Sequence, residues 1–273
     1  MDDNDTEESS AGRENSKPAR RWNIGVRDAI RLMNPDALAQ ALETEGPDAP
    51  LAHGKTPLTF AAEFPDDDID LASVILDAGA RVDLADALGQ TPLLASLGYR
   101  NTRMARALLR RGARTGLQDG EGRTALMFCC GSALTDMARE LISRRADPNI
   151  ASFNDQTPLM ACAMLRVGHE RTRRLMGELL QAGAHIDAVD DEGKSALVYA
   201  TESGHLLAAI LLCDAGASLS PPGSRVDAIQ AARGRGHHGI ADVLADKAAT
   251  HERSEMEGAA CAPTAPAPAS KRL

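Results

Sequence analysis

The sequence predicts an all-α solenoid of stacked helix pairs, and three observations carry that prediction. Thr-Pro-Leu occurs at 56–58, 91–93 and 157–159, and related anchors stand at Thr124 and Ser195, so successive anchors are 35, 33, 33 and 38 residues apart. A fixed period of about 20–50 residues marks a chain of repeated supersecondary units. Each anchor leads into apolar runs that close on a turn residue, and Gly79, Gly112 and Gly183 each lie 12 residues before the next anchor. Finally, only seven of 273 residues are aromatic although 43% are apolar. Such a core is built from Leu, Ala, Val, Met and Ile, which suits close helix packing.

The first element is a helix pair in "VRDAIRLMNPDALAQALETEG". Asn34 caps its second helix with Pro35 at the first turn, and the pair serves as an N-terminal cap over 25–48. Repeats start near 53, 88, 121, 154, 192 and 223. Within a repeat the anchor Thr or Ser caps a first helix, and Pro57, Pro92 and Pro158 take a position whose N–H has no partner anyway. A second helix follows, as in Leu71 to Ala80, and Gly79, Gly112, Gly183 and Gly216 end it in the left-handed conformation. Arg145 stands at that place in the third repeat, so a strained or altered turn is expected there. Extra residues fall only between the two helices of a unit, in "FPDDDID" and "MLRVGHERTRR". The sixth repeat, from Val226, is degenerate: Pro221-Pro222-Gly223 replaces the usual hairpin, and Asp227 takes the place of the proline. Terminal units of a stack differ because one side of each faces water.

The pattern resembles the ankyrin repeat, whose hallmark is Thr-Pro-Leu-His-x-Ala with a 33-residue period. Gly168-His169, Gly204-His205 and Gly236-His237 fit the family, and the resemblance runs from Val26 to Lys247. The hallmark histidine is absent, its place taken by Thr59, Leu94, Met127, Met160 and Val198. The resemblance implies helix-turn-helix units joined by β-hairpin loops over 25–247. It also implies a non-catalytic module for binding another protein, as adaptor, scaffold or regulatory subunit. Its groove residues would be those seven and eight past each anchor, notably Phe64, Tyr99, Met164, Leu165 and Glu202. The hairpin tips would add Leu88, Gln90, Arg123, Phe153, Asn154, Gln156 and Lys194. Phe60, Phe128 and Tyr199, four past their anchors, are expected in the core. Asn149 in "LISRRADPN" resembles the hairpin asparagine that some dioxygenases hydroxylate, against a plain reading as a turn-stabilising side chain.

Charge supplies a second functional reading. The chain carries a net charge of -9, which argues against nucleic acid as a general partner. Yet fourteen Arg and seven Asp or Glu lie between Arg100 and Arg174, a local excess of +7. Arg103, Arg106, Arg110, Arg111, Arg171, Arg173 and Arg174 form a candidate band for acidic ligands, the alternative being a solvated outer face. The acidic start "MDDNDTEE" is one candidate for such a ligand.

Nothing assembles a catalytic or metal site. There is no G-x-S-x-G, phosphate loop or dinucleotide fingerprint, and His237-His238 beside Asp242 lacks a third ligand. A divergent enzyme is the remotest reading, and no cofactor or metal is expected. The five cysteines form no C-x-x-C and are expected to be reduced, in the cytoplasm or nucleus. No run of about 18 apolar residues suggests a membrane span. The terminal Lys271-Arg272-Leu273 only loosely resembles a peroxisomal signal. Residues 1–24 and the Pro/Ala-rich 248–273 are expected to be disordered tails on a monomer.

Overall fold

A computed structural model describes residues 24–64, 69–165 and 169–260 of the chain. Among them, fourteen α-helices form seven consecutive pairs. The cap pair is α1 (Val26–Arg31) and α2 (Pro35–Glu45). Then come α3 (Pro57–Ala62) with α4 (Ile69–Asp77), α5 (Pro92–Gly98) with α6 (Thr102–Arg110), and α7 (Ala125–Gly131) with α8 (Thr135–Ser143). The last three pairs are α9 (Pro158–Ala163) with α10 (His169–Gln181), α11 (Ala196–Glu202) with α12 (Leu206–Asp214), and α13 (Ala228–Gly234) with α14 (His238–Ala260). First helices stack on first helices and second on second, giving two layers.

Local chemistry starts each unit. Hydroxyls of Thr56, Thr91, Thr124, Thr157 and Ser195 accept from the backbone N–H three residues on, at 3.0–3.4 Å. In the first repeat Thr59, at the missing histidine's place, returns the bond by accepting from the Thr56 N–H at 2.9 Å. Asn34 caps α2 as expected, whereas Asp227 takes the anchor's place rather than the proline's, capping α13 by accepting from the N–H groups of Ile229 and Gln230. The core then repeats by register. Leu58, Leu93, Leu126, Leu159 and Leu197 come from the first helices. Ile75, Leu108, Leu141, Leu179 and Leu212 come from the second helices. All ten are buried.

The turn at Arg145 is strained but not altered. Arg145 adopts φ 62°, and the Ala146 N–H bonds the Leu141 carbonyl, just as the Ala80 N–H bonds Ile75 beside Gly79. The inter-repeat fingers are tight turns with very little strand. Two isolated bridges, Gln118 with Thr124 and Val189 with Ser195, are the only β pairing among the described residues. Each finger leans on the next through one backbone bond, from Ala87 to Gly54, Gly120 to Leu88, Phe153 to Glu121, Asp191 to Asn154 and Arg225 to Gly193. At the C-terminal end the expected boundary at 248 is not a structural one, because α14 continues to Ala260. The N-terminal tail, Arg166, the residues of 261–273 and part of both inter-helix insertions lie outside the described residues.

Candidate partner-binding face

The inner face of the stack is built from the finger tips and the exposed side of the first helices. The fingers before repeats two to five are each held open by a side chain at the base. Asp119 Oδ1 accepts from the N–H groups of Glu121 and Arg123, both at 2.9 Å, and Asp86 and Asp190 do the same in their fingers. Ser152 takes this role in the fourth repeat, accepting from Gln156 N–H. Gly122 has φ 77°, and a Cβ there would lie 2.6 Å from the Phe153 nitrogen. The backbone and ring of Phe153 thus lie close over Gly122, on the tip of the next finger, where Phe153 is 72% exposed. Leu88, two fingers before Phe153, is 66% exposed, and Tyr99 and Met164 are 48% and 44% exposed.

Other expected groove residues are set deeper. Phe64 is half-buried and packs edge-on against Phe60, with ring centroids 5.3 Å apart. Leu165, Gln90 and Gln156 are half-buried, and Asn154 is exposed. Gln156 donates to the Tyr199 hydroxyl at 3.3 Å. The expectation that Phe60 and Phe128 are core residues needs correcting, for both are only half-buried. Cations lie over them: Arg31 is 6.0 Å from the Phe60 centroid and Arg123 is 4.7 Å from that of Phe128. Tyr199 is buried as expected, beneath Lys194 at 5.6 Å, and its hydroxyl donates to Asp190. Burial, then the Asp190 carboxylate, pushes the Tyr199 hydroxyl pKa up.

These residues form an alternating row along the inner face. The residues one before and four after each anchor are Lys55 and Phe60, Gln90 and Ala95, Arg123 and Phe128, Gln156 and Ala161, then Lys194 and Tyr199. Odd repeats thus carry a cation and a ring, even repeats an amide and an alanine. Lys55 pairs with Glu63 and Lys194 with Glu202, the same two places in repeats one and five. The hydrogen bonds that Lys194 donates to Glu192 and then Glu202 raise its pKa against its partial burial. Arg123 pairs with Asp119 and Glu121. The alternation was visible in the sequence, but only by reading equivalent places down the repeats.

The Arg-rich band lies on the second helices, and much of it is used internally. Arg111 pairs with Asp77 at 2.7 Å, Arg106 with Glu140 at 3.1 Å and Arg139 with Glu178 at 3.0 Å, each joining one second helix to its neighbour. Arg173 and Arg174 share Glu170. Arg103, Arg110 and Arg171 are exposed, and Arg103 also makes an interaction of its own.

Asn149 bridges two repeats. Its Oδ1 accepts from the His185 N–H at 2.8 Å and its Nδ2 donates to the Gly183 carbonyl at 2.9 Å. Asp48, Asp83 and Asp187 accept similarly from Arg81, Arg114 and Ser218. The ring of His237 lies against Gly204, where it supports a turn. Among the described residues no three His, Cys, Asp or Glu side chains converge to hold a metal ion.

Three overlapping copies of the ankyrin-repeat family model match the chain, at 58–152, 94–177 and 135–223. Together they span more than half of it. The chain belongs to the ankyrin-repeat family. No curated protein matches it. Ankyrin repeats are in general protein-interaction modules, and no helix among the described residues is long and apolar enough to cross a membrane.

Proposed function

We propose that the inner face binds another protein and that the chain serves, without catalysis of its own, as an adaptor, scaffold or regulatory subunit. The supporting observation is the pairing of exposed Leu88, Tyr99, Phe153 and Met164 with the alternating row beneath them. Large apolar side chains held on rigid turns make good anchors, since little conformational freedom is lost on binding. Ala95, Gly98 and Ala161 leave low ground between the rings, into which a partner's side chains fit. Adjacent helices pack about 8–10 Å apart. Rings two repeats apart are therefore roughly 16–20 Å apart, about five or six residues of an extended strand. Glu202 with Lys194 forms the polar rim at repeat five. The buried thiols Cys129, Cys130 and Cys162 suit work in a reducing compartment, cytoplasm or nucleus.

The test is capture of partners by Phe64→Ala, Tyr99→Ala and Phe153→Ala combined. Truncating such anchors commonly costs about 2 kcal/mol or more each, roughly thirtyfold in affinity. The triple variant should lose its partners with its circular dichroism spectrum intact, and retention at the wild-type level would refute the reading. The second reading, an acidic ligand on the Arg band, rests on the excess of +7 and on exposed Arg103, Arg110 and Arg171. It predicts capture that vanishes at high salt and survives the triple substitution. Hydroxylation of Asn149 is a further proposal on the same resemblance. It would show as a 16 Da mass increase on the peptide containing that residue, about one oxygen atom.

A further inference from the structure

The outer face of the repeats carries charge at the second helices α6, α8 and α10, but not along α12. Matching these helices by the turn that ends each one places Arg103, Asp136, Arg174 and Leu207 at one outward position. Arg106, Arg139, Gly177 and Ile210 share the next, and Ala107, Glu140, Glu178 and Leu211 a third. The ion pairs Arg106–Glu140 and Arg139–Glu178 connect these places from α6 to α10. Leu211, where Glu140 and Glu178 stood, offers no acceptor for a further step. Leu207 is 44% exposed, and Ile210 and Leu211 are half-buried. Gly177 carries no side chain where α6 and α8 have arginines. A groove of about 520 Å³ results between α10 and α12, floored by Leu180, Ile210 and Leu211, with Arg173 and Asp214 on its margin. An amphipathic helix turns its apolar stripe inward, so an outward ridge of leucine and isoleucine needs its own explanation.

Charge around the ridge is polar along the helix axis. Arg171, Arg173 and Arg174 outnumber Glu170 near the start of α10, beside the start of α12. At the other end stand Asp214, held by Lys247, and the exposed Asp246 of α14. We infer that this face binds a second copy of the chain, with the two α12 helices antiparallel and Leu207 of one copy against Leu211 of the other. Antiparallel pairing brings the basic end of each copy to the acidic end of the other, and parallel pairing would oppose like charges. The site is on the opposite side of the helix layers from the inner face, so the inference is independent of the partner reading above. Four large apolar side chains per copy make a contact at the small end of stable interfaces, which corresponds to a Kd near about 1–100 µM.

Sedimentation velocity of the full chain from about 1 to about 100 µM tests this over the expected Kd range. The weight-average coefficient should rise from monomer toward dimer. Leu207→Glu should keep it at the monomer value with a thermal melt close to wild type, since that residue is 44% exposed. Arg174→Glu should weaken association at least tenfold, and adding Asp214→Arg, at the acidic end of α12 itself, should restore it. A wild-type chain that stays monomeric throughout, or a Leu207→Glu chain that still dimerises, overturns the proposal. A charge swap that fails to restore pairing overturns the antiparallel arrangement.

Discussion

Asn149 and His185, 36 residues apart, are joined by a 2.8 Å bond from the His185 N–H to the asparagine carbonyl. The same side chain donates to Gly183 at 2.9 Å, so one amide serves both an acceptor and a donor in the next repeat. Aspartate at the equivalent Asp83 and Asp187 can only accept. Asn149→Asp should therefore lose the bond to Gly183 and face its carbonyl with a charge. Asn149→Ala loses both bonds, at a cost of about 1–3 kcal/mol. Urea unfolding should rank wild type above either variant, and an unchanged midpoint for Asn149→Ala would show that water replaces the bridge without loss.

Arg145 holds the left-handed turn that glycine holds in its neighbours. Its side chain is exposed, so exchanging it removes no core contact. Arg145→Gly should stabilise the protein by about 0.5–1 kcal/mol, the cost of a Cβ in that conformation less the extra freedom of the unfolded chain. A lower melting temperature for Arg145→Gly would contradict the strain assigned to this turn.

Leu126 is fully buried at the middle of the stack, whereas Ala228 starts the first helix of the last unit. Leu126→Ala should cost about 2–5 kcal/mol. Ala228→Gly should cost about 1 kcal/mol, the difference in helix propensity. In a nearest-neighbour array the central loss is felt by the units on both sides. Equal shifts in melting temperature would argue against coupled stacking.

Cys129 and Cys130 lie buried between α7 and the helices packed on it. Burial, with the Cys162 thiol nearby, pushes Cys129 up to about 12 from an ordinary value of 9.0, and the bond to Cys162, with burial, raises Cys130. A raised folded pKa means that the protonated thiol is favoured by the fold. The associated stability is complete below about pH 9 and is lost as pH rises toward 12. The Cys129 thiol steepens alkaline unfolding by about 1.4 kcal/mol per pH unit in that window. Cys129→Ala should flatten the fall of the unfolding free energy between pH 9 and 11, and an unchanged slope would refute the assignment.

The sequence alone determined the helix pairs, their caps, their closing turns and the leucine ladder of the core. These features depend on chemistry within a few residues: Thr91 and the Leu94 N–H, Pro92 at the first turn, Gly112 in the left-handed conformation. Repetition of that chemistry made each assignment reinforce the next. The length of α14 escaped because composition past 248 suggests no packing, while a helix already nucleated against α13 continues residue by residue. Surfaces were decided by tertiary structure. Helical spacing sends Phe128 inward, yet its exposure depends on Gly98 one repeat earlier and on Arg123 above its ring. The count of arginines in 100–174 was plain, but Arg106 and Arg139 are balanced by Glu140 and Glu178, 34 and 39 residues away. "LLAAILLC" reads as core in one dimension. Only its register against Arg106, Arg139 and Gly177 places Leu207 and Ile210 outside, because side-chain direction in a stack is set by neighbouring repeats as well as by the helix itself.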